Sequence, residues 1–162
     1  EVQDKLIATV LTPKGLNRKC VGRSAKALLA MVGVDVPDSI RCITFEGEKE
    51  HPLIATELMM PILGVVRAKD FEDAVEKAVW LEHGNRHSAH IHSKNVDHIT
   101  QYAKAIDTAI LVKNGPSYAA LGFGGEGYCT FTIASRTGEG LTAAHSFTKS
   151  RRCVMVESLC IR

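Results

Sequence analysis

Four histidines lie close together in the middle of the chain: His83, His87, His90 and His92. In a strand, His90 and His92 would share one face, because side chains alternate along a strand. Imidazole is a common zinc ligand, but a metal site needs at least three ligands, and no acidic residue or cysteine stands at a recognisable spacing from this pair. We therefore expect no metal site and interpret both as histidines of a sheet face; a small metal protein built on them is an alternative.

His87 differs from the other histidines in its position. It follows the tight turn Gly84-Asn85-Arg86 and stands at the start of a predicted strand. Polar groups at the rim of an α/β sheet often take part in catalysis. His87 is therefore a candidate general base, and the competing interpretation is a histidine whose ring is satisfied by structural hydrogen bonds.

A carboxylate, Glu57, stands in the apolar segment Glu57-Leu-Met-Met-Pro61, just before a predicted strand. Such a group must find a partner or lose solvation energy. Two interpretations follow. The first is a salt-bridged loop acid, and the second is a carboxylate that accepts hydrogen bonds from the two hydroxyls of a cofactor ribose.

Two further patterns resemble phosphate-binding motifs. The segment Gly122 to Gly127 fits the pattern GxGxxG, but a dinucleotide fingerprint needs a strand before it and a helix after it. The residues that follow, 128–133, are β-rich, which favours a structural glycine loop. Arg151 and Arg152 after Ser150 would suit a phosphate clamp, although exposed arginines are more often solvated or inter-subunit charges.

Composition excludes several classes of protein. The chain has 162 residues, a formal net charge of +2 and 45% hydrophobic residues, so it should fold as one domain with no bulk attraction to nucleic acid or a membrane surface. Its longest apolar run, 58–66, is interrupted by Pro61 and Gly64 and falls short of the roughly 18 residues of a membrane span. Five cysteines without a CxxC pair favour a reducing cytoplasm. The start at Glu1, without a signal sequence, leads us to expect a piece of a longer chain.

The elements that position these residues alternate in type, which predicts an α/β fold with parallel strands. From residue 62 onward we predict a strand at 62–66 buried on both faces, a helix from Asp70 to Gly84, a strand at 87–92, a second helix capped by Ser93 or Asn95, and a strand at 109–112. An apolar stripe of Val96, Ile99, Ala103 and Ile106 is expected to face the core from the second helix. Helices at 4–11 and 24–32 and strands at 40–45, 128–133 and 153–156 complete the prediction.

Nine short motifs cover nearly the whole chain. They are Val21-Gly-Arg-Ser-Ala25, Glu57-Leu-Met-Met-Pro61, Leu81-Glu-His-Gly-Asn-Arg-His87, His92-Ser-Lys-Asn95, Val112-Lys-Asn-Gly-Pro-Ser-Tyr118, Gly124-Gly-Glu-Gly127, Gly138-Glu-Gly-Leu141, Ser146-Phe-Thr and Arg151-Arg-Cys-Val154. In their order and spacing these motifs resemble the CoA-acylating aldehyde dehydrogenases, and they are most similar to the microcompartment enzymes of ethanolamine and 1,2-propanediol use.

The resemblance implies a three-layer aldehyde dehydrogenase-like catalytic domain, with a mainly parallel sheet flanked by helices. Residues 1–162 would be its C-terminal part, with about 146–162 as the subunit-pairing strand and tail. The N-terminal cofactor domain and the nucleophilic cysteine would lie outside these residues, so we expect the isolated fragment to be inactive and its five cysteines to be structural or incidental.

The resemblance also implies a mechanism: a cysteine thiolate attacks a short-chain aldehyde, hydride passes to NAD, and CoA takes the acyl group. By position in the motifs, Glu57 would bind the nicotinamide ribose, Met59 and Pro61 would shape that side of the pocket, and His87 would assist the CoA step. The expected partners are the aldehyde, CoA, the missing cofactor domain and further copies of the chain, with no nucleic acid and no membrane. The cytoplasm and a bacterial microcompartment lumen both fit.

A second functional class is compatible with the same residues. A free-standing module could use the α/β core to bind CoA or a protein partner during assembly, without chemistry. The presence of a cofactor domain and a cysteine segment upstream in the gene would favour the enzyme over this module.

Overall fold

The computed structural model describes residues 1–127, 133–134, 140–154 and 156. The chain divides into two compact units, Glu1–His83 and Gly84–Arg162, each of which has its own helices and strands. Of the segment expected to pair subunits, the structure describes 146–154 and 156. The pairing role and the assignment of 1–162 to one catalytic domain stay predictions.

The first unit contains four helices and two pairs of strands. Its elements are α1 (Val2–Val10), β1 (Leu11–Thr12), β2 (Gly15–Leu16), α2 (Ala25–Met31), β3 (Ile43–Glu46), α3 (Pro52–Ala55), β4 (Ile62–Val65) and α4 (Phe71–Glu82). Strands β1 and β2 form an antiparallel hairpin, whereas β3 and β4 are parallel, with Ile43 opposite Ile62. The predicted helices at 4–11, 24–32 and after Asp70 are confirmed.

Short polar side chains begin two of the helices of this unit, α2 and α4. The Ser24 hydroxyl accepts the Ala27 N–H at 3.3 Å, and the Asp70 carboxylate accepts the Asp73 N–H at 2.8 Å. Helix α4 ends at His83, which is left-handed with φ of 56°, and Gly84 follows with φ of 75°. The core of the unit packs α1 and α2 against the segment around α3, and its buried side chains are Leu6, Val10, Cys20, Leu28, Leu29, Val32, Leu53 and Leu58.

Strand β4 is not buried on both faces within its unit, contrary to the prediction. Leu63 and Val65 are 57% and 47% exposed, whereas Ile62 and Gly64 face inward. The reason is that α3 covers one face only: a Cβ on Gly64 would overlap Cγ1 of Ile54. Apolar composition identified the strand, but the number of covered faces depends on which elements pack against it.

The second unit is built on a β-α-β crossover. Strand β5 (Ser88–Ile91), helix α5 (Val96–Ile106) and strand β6 (Ile110–Lys113) follow one another, and the two strands are parallel with Ser88 opposite Ile110. This pairing confirms the predicted parallel connection, and the α/β class is confirmed by both units. The N-cap is Asn95, whose Oδ1 accepts the N–H groups of Asp97 and His98.

The buried face of α5 differs from the predicted stripe at one end. Val96 is 71% exposed, and Tyr102 is buried together with Ile106. Val96 is the first residue of the helix, so it lies past the part that covers the strands. The apolar body of Tyr102, four residues before Ile106, occupies the same helix face instead.

The remaining described elements are short. They are two 3-10 helices (Ser117–Leu121 and Ala144–Phe147) and an antiparallel pair, β7 (Ile133–Ala134) with β8 (Gly140–Leu141). Most of the strand predicted at 128–133 lies outside the described residues. The strand predicted at 153–156 is wrong for residues 153, 154 and 156, which have no ladder partner in the part of the chain that the structure describes. No helix among the described residues is long and apolar enough to cross a membrane.

Candidate functional site

Glu57 lies on the loop between α3 and β4, in the first unit, and its side chain is exposed to solvent. Within the described residues it takes part in no ion pair or side-chain hydrogen bond, so the salt-bridged interpretation is wrong there. Because its side chain is exposed, the carboxylate avoids the cost of desolvation without a protein partner. Its two oxygens are therefore available as hydrogen-bond acceptors for a ligand.

Helix α3, which leads into this loop, is bonded to a histidine ring at each end. Pro52 occupies its first turn, and His51 Nδ1 accepts the Leu53 N–H at 3.2 Å. At the other end, His83 Nε2 is 2.9 Å from the carbonyl oxygen of Ala55. Since a carbonyl can only accept, the His83 ring donates this hydrogen bond from Nε2.

The rest of the loop is tied to the body of the unit by backbone hydrogen bonds. The Met59 carbonyl accepts from Gly22 N–H at 3.2 Å, and the Pro61 carbonyl accepts from Ile43 N–H at 2.9 Å. Met59 itself is left-handed with φ of 51°, and its side chain is 67% exposed. It lines a cavity of about 300 Å³ whose other walls are mainly aliphatic and include Leu63 and Leu81. Glu57, Met59 and Pro61 thus share one anchored loop.

The ring of His83 is also packed on its own helix. The Trp80 and His83 ring centroids are 5.5 Å apart, and Lys49 Nζ lies 5.2 Å from the Trp80 ring. At that distance an ammonium is attracted to the negative face of an indole. The end of α4 is therefore held from two sides beside the Ala55 carbonyl.

An ion pair in the first half of α4, between Asp73 and Lys77, shifts the pKa of both of its members. The pKa of the Asp73 carboxyl is lowered, first by the hydrogen bond from Lys77 Nζ at 2.8 Å and then by the Lys69 N–H at 3.0 Å. The pKa of Lys77 is raised, mainly because its ammonium donates this hydrogen bond to Asp73. Arg67, whose Nε lies 2.7 Å from Glu46, likewise has a raised pKa. None of these groups is a predicted site residue.

His87 lies in the second unit, immediately before β5, and its side chain is exposed. Its Nδ1 is 2.7 Å from Ser88 Oγ, and its carbonyl accepts the Ile110 N–H at 3.0 Å. Arg86, left-handed with φ of 57°, forms an ion pair with the Asp107 carboxylate. The segment that carries His87 is therefore anchored on both sides.

His87 lies at the edge of the sheet where the parallel strands β5 and β6 begin. Sites in α/β sheets generally lie at the carboxyl ends of the strands, whereas His87 is at the amino end of β5. The catalytic role expected for His87 therefore rests on the resemblance and not on strand position. Glu57 and His87 belong to different units, and their roles in one mechanism stay predictions.

The remaining candidates from the sequence are a histidine of β5, the glycine loop and the pair of arginines. His90 Nε2 is 2.9 Å from Ser117 Oγ, and no group of three possible metal ligands occurs among the described residues. The glycine loop follows a 3-10 helix and not a strand, and a Cβ on Gly127 would overlap the carbonyl of Ala120. These glycines allow the loop to fold back on its own 3-10 helix. Arg151 and Arg152 are exposed.

Sequence reasoning missed His51 and His83 as supports of the Glu57 loop. The pair His51-Pro52 is a local sign of a helix start, since proline suits the first turn. His83 stands among the four clustered histidines, and Gly84 after it signals a helix end. Its bond to Ala55 spans 28 residues and leaves no local signal.

Comparison with known proteins places the chain in a family. The family model described as "Aldehyde dehydrogenase family" matches residues 39–151. Two relatives from Salmonella typhimurium are an acetaldehyde dehydrogenase (acetylating), 49% identical over 88% of this chain, and a propanal dehydrogenase (CoA-propanoylating), 44% identical over 98%. The chain spans 31% and 34% of their lengths, about a third of each.

Solved structures agree with this placement. A propionaldehyde dehydrogenase from the Clostridium phytofermentans fucose utilisation bacterial microcompartment is 80% identical, with a TM-score of 0.91 over 99% of this chain and 37% of that one. A Rhodopseudomonas palustris propionaldehyde dehydrogenase with bound propionyl-CoA is 54% identical (TM-score 0.90, 95% of this chain, 34% of that one). An engineered glycolyl-CoA reductase with bound NADP+ is equally similar (54%, TM-score 0.90, 95% and 35%). With its parallel strand pairs, flanking helices and these matches, the chain belongs to the aldehyde dehydrogenase family.

Proposed function

We propose that this chain is part of an oxidoreductase that converts a short-chain aldehyde, CoA and NAD to acyl-CoA and NADH, reversibly, through an enzyme thioester. The observation that carries the proposal is the match over nearly the whole chain to propionaldehyde dehydrogenases, one of which holds propionyl-CoA. The nucleophilic cysteine and the cofactor-binding domain lie outside these 162 residues. The 162 residues alone are therefore inactive.

In this proposal the loop that carries Glu57 binds the nicotinamide cofactor. The solvated carboxylate accepts hydrogen bonds from the two hydroxyls of the nicotinamide ribose, while Met59 and Pro61 form the wall beside it. Bound cofactor supplies the hydride acceptor. The nicotinamide ribose is the same in NAD and NADP, so Glu57 suits both; NAD is the one we propose.

His87 acts on the second substrate, CoA. A free thiol has a pKa of about 8.5, so only a small fraction is thiolate at neutral pH. A neutral imidazole that removes the thiol proton raises that fraction, and the thiolate then displaces the acyl group from the enzyme thioester. The contact of Nδ1 with Ser88 Oγ, at 2.7 Å, would orient the ring for this transfer.

The setting proposed for the whole enzyme follows its relatives. We propose that it assembles with further copies of itself, as paired aldehyde dehydrogenase subunits do, and works in the cytoplasm or in a microcompartment lumen. The Clostridium phytofermentans relative belongs to such a compartment. The other part of the enzyme would largely determine which aldehyde chain length is accepted, because much of the substrate tunnel would come from it.

A hybrid enzyme tests the proposed activity. This chain replaces the matching segment of the Clostridium phytofermentans propionaldehyde dehydrogenase, to which it is 80% identical. We expect NADH formation that requires both propionaldehyde and CoA, and none from the 162-residue chain alone. An inert hybrid beside an active parent enzyme would overturn the proposal, and CoA binding without turnover would then favour the assembly module. NADH formation by the chain alone would show that the nucleophile lies within these 162 residues.

A further inference from the structure

The loop that presents Glu57 starts from a helix that cannot be stable by itself. Helix α3 has four residues, about one turn, and an isolated turn does not repay the cost of nucleation. Glu57 follows its last residue, Ala55, by two positions. The position of the carboxylate therefore depends on whatever holds the end of α3.

The side-chain hydrogen bond that holds this end comes from His83. Its Nε2 donates to the Ala55 carbonyl over 2.9 Å, across 28 residues of chain. The geometry of the donor is well defined, because His83 is the left-handed C-cap of α4 and its ring packs on Trp80, which in turn lies under Lys49. The carbonyl is thus bonded to the end of a twelve-residue helix.

We propose that His83 is a positioning residue of the cofactor site: its hydrogen bond to Ala55 fixes the loop that presents Glu57 and thereby strengthens binding of the nicotinamide ribose. The inference rests on the role proposed for Glu57. Without the bond, the end of α3 and the residues after it sample more conformations, and binding must order them again. The cofactor affinity falls, while the affinity for CoA does not.

Two substitutions separate the hydrogen bond from the backbone conformation. His83→Asn keeps a residue that tolerates positive φ, but its amide is too short to reach the Ala55 carbonyl. His83→Gln has an amide nitrogen that extends about as far as Nε2 and can donate the same bond. His90→Asn is the matched control, since His90 lies on β5 and its Nε2 makes a bond of equal length to Ser117 Oγ in the following 3-10 helix.

The test is the dissociation constant of NAD, measured by titration of the hybrid enzyme and its variants. We expect His83→Asn to weaken NAD binding roughly threefold to tenfold, the size of one net hydrogen bond. His83→Gln and His90→Asn should stay near the unaltered hybrid, and the KM for CoA should not change in any of them.

Each possible negative result of these NAD titrations leads to a different conclusion. If Glu57→Gln weakens NAD binding but His83→Asn does not, the inference about His83 is wrong and the proposed role of Glu57 stands. Glutamine as weak as asparagine would show that the ring's packing matters and the bond does not. If Glu57→Gln leaves NAD binding unchanged, the role of Glu57 fails. An unaltered hybrid that binds no NAD removes the proposed function as well.

Discussion

The side-chain amide of Asn114 forms two hydrogen bonds with the backbone of Ser93. Its Oδ1 accepts the Ser93 N–H at 2.8 Å, and its Nδ2 donates to the Ser93 carbonyl at 3.0 Å. The two residues follow β5 and β6, so the pair joins the loops at the carboxyl ends of both strands. Asn114 is left-handed with φ of 54°, a conformation that asparagine tolerates better than most residues.

Replacing Asn114 should therefore destabilise the second unit. We expect Asn114→Ala to cost about 1–3 kcal/mol, because it loses two hydrogen bonds and strains the backbone. Asn114→Gly loses the bonds without the strain and should cost less. Urea unfolding of the hybrid enzyme measures both, and equal costs would mean that the left-handed conformation contributes nothing.

Gly64 should tolerate no side chain while Ile54 is present. A Cβ at this position would overlap Ile54 Cγ1, so Gly64→Ala should destabilise the first unit by about 1–3 kcal/mol. In an Ile54→Ala background the same change should cost much less, since the overlapping atoms are gone. Additive costs in the double variant would contradict the close packing of α3 on β4.

Asp73 should make stability depend on acid pH. Its pKa is lower in the folded chain than in the unfolded one, so its stabilising effect is full above the ordinary carboxyl value of about 3.9 and is lost as pH falls through the folded value. Asp73→Asn should flatten the fall in the urea midpoint between pH 5 and pH 3. Glu72→Gln, an equal change in charge on the next residue, should not; the same flattening in both would point to net charge alone.

Glu57→Gln should weaken binding of the nicotinamide cofactor in the hybrid enzyme. The neutral amide has one acceptor oxygen in place of two charged ones, so it cannot receive both ribose hydroxyls equally well. We expect roughly a tenfold rise in the KM for NAD, about the effect of one charged hydrogen bond. An unchanged cofactor affinity would remove the ribose role.

His87→Ala should slow acyl transfer to CoA more than hydride transfer. Loss of a general base typically lowers a proton-transfer step by about 10²-fold or more, and hydride transfer precedes that step. Rapid mixing separates the two, as a fast phase of NADH formation followed by slow turnover. Equal slowing of both phases, or of neither, would exclude His87 as the base of the CoA step.

Local signals predicted the elements of this chain well. Asp70 and Asn95 begin α4 and α5, as their side chains suggest, and Gly84 follows the end of α4. These features succeed because a cap needs only three or four neighbouring residues. The parallel pairing of β5 and β6 follows from their short helical connection in the same way.

Properties that depend on contacts between residues far apart along the chain cannot be predicted from sequence patterns. The exposure of Leu63 on β4 is set by which elements cover the strand, and the support of Ala55 by His83 joins residues that no pattern connects. The solvation of Glu57 belongs to the same class, because it depends on the path of the whole loop. The role proposed for Glu57 rests on the motif around it, which identifies a family without showing the geometry.

Trp80 is the single tryptophan of the chain, and its indole lies beside both Lys49 and His83. Indole fluorescence in the isolated 162 residues therefore originates from one place, beside the link between α4 and α3. Loss of the His83 ring from beside this indole changes the surroundings of the indole and hence its emission. The chain thus carries a built-in optical probe of the contact on which the Glu57 loop depends.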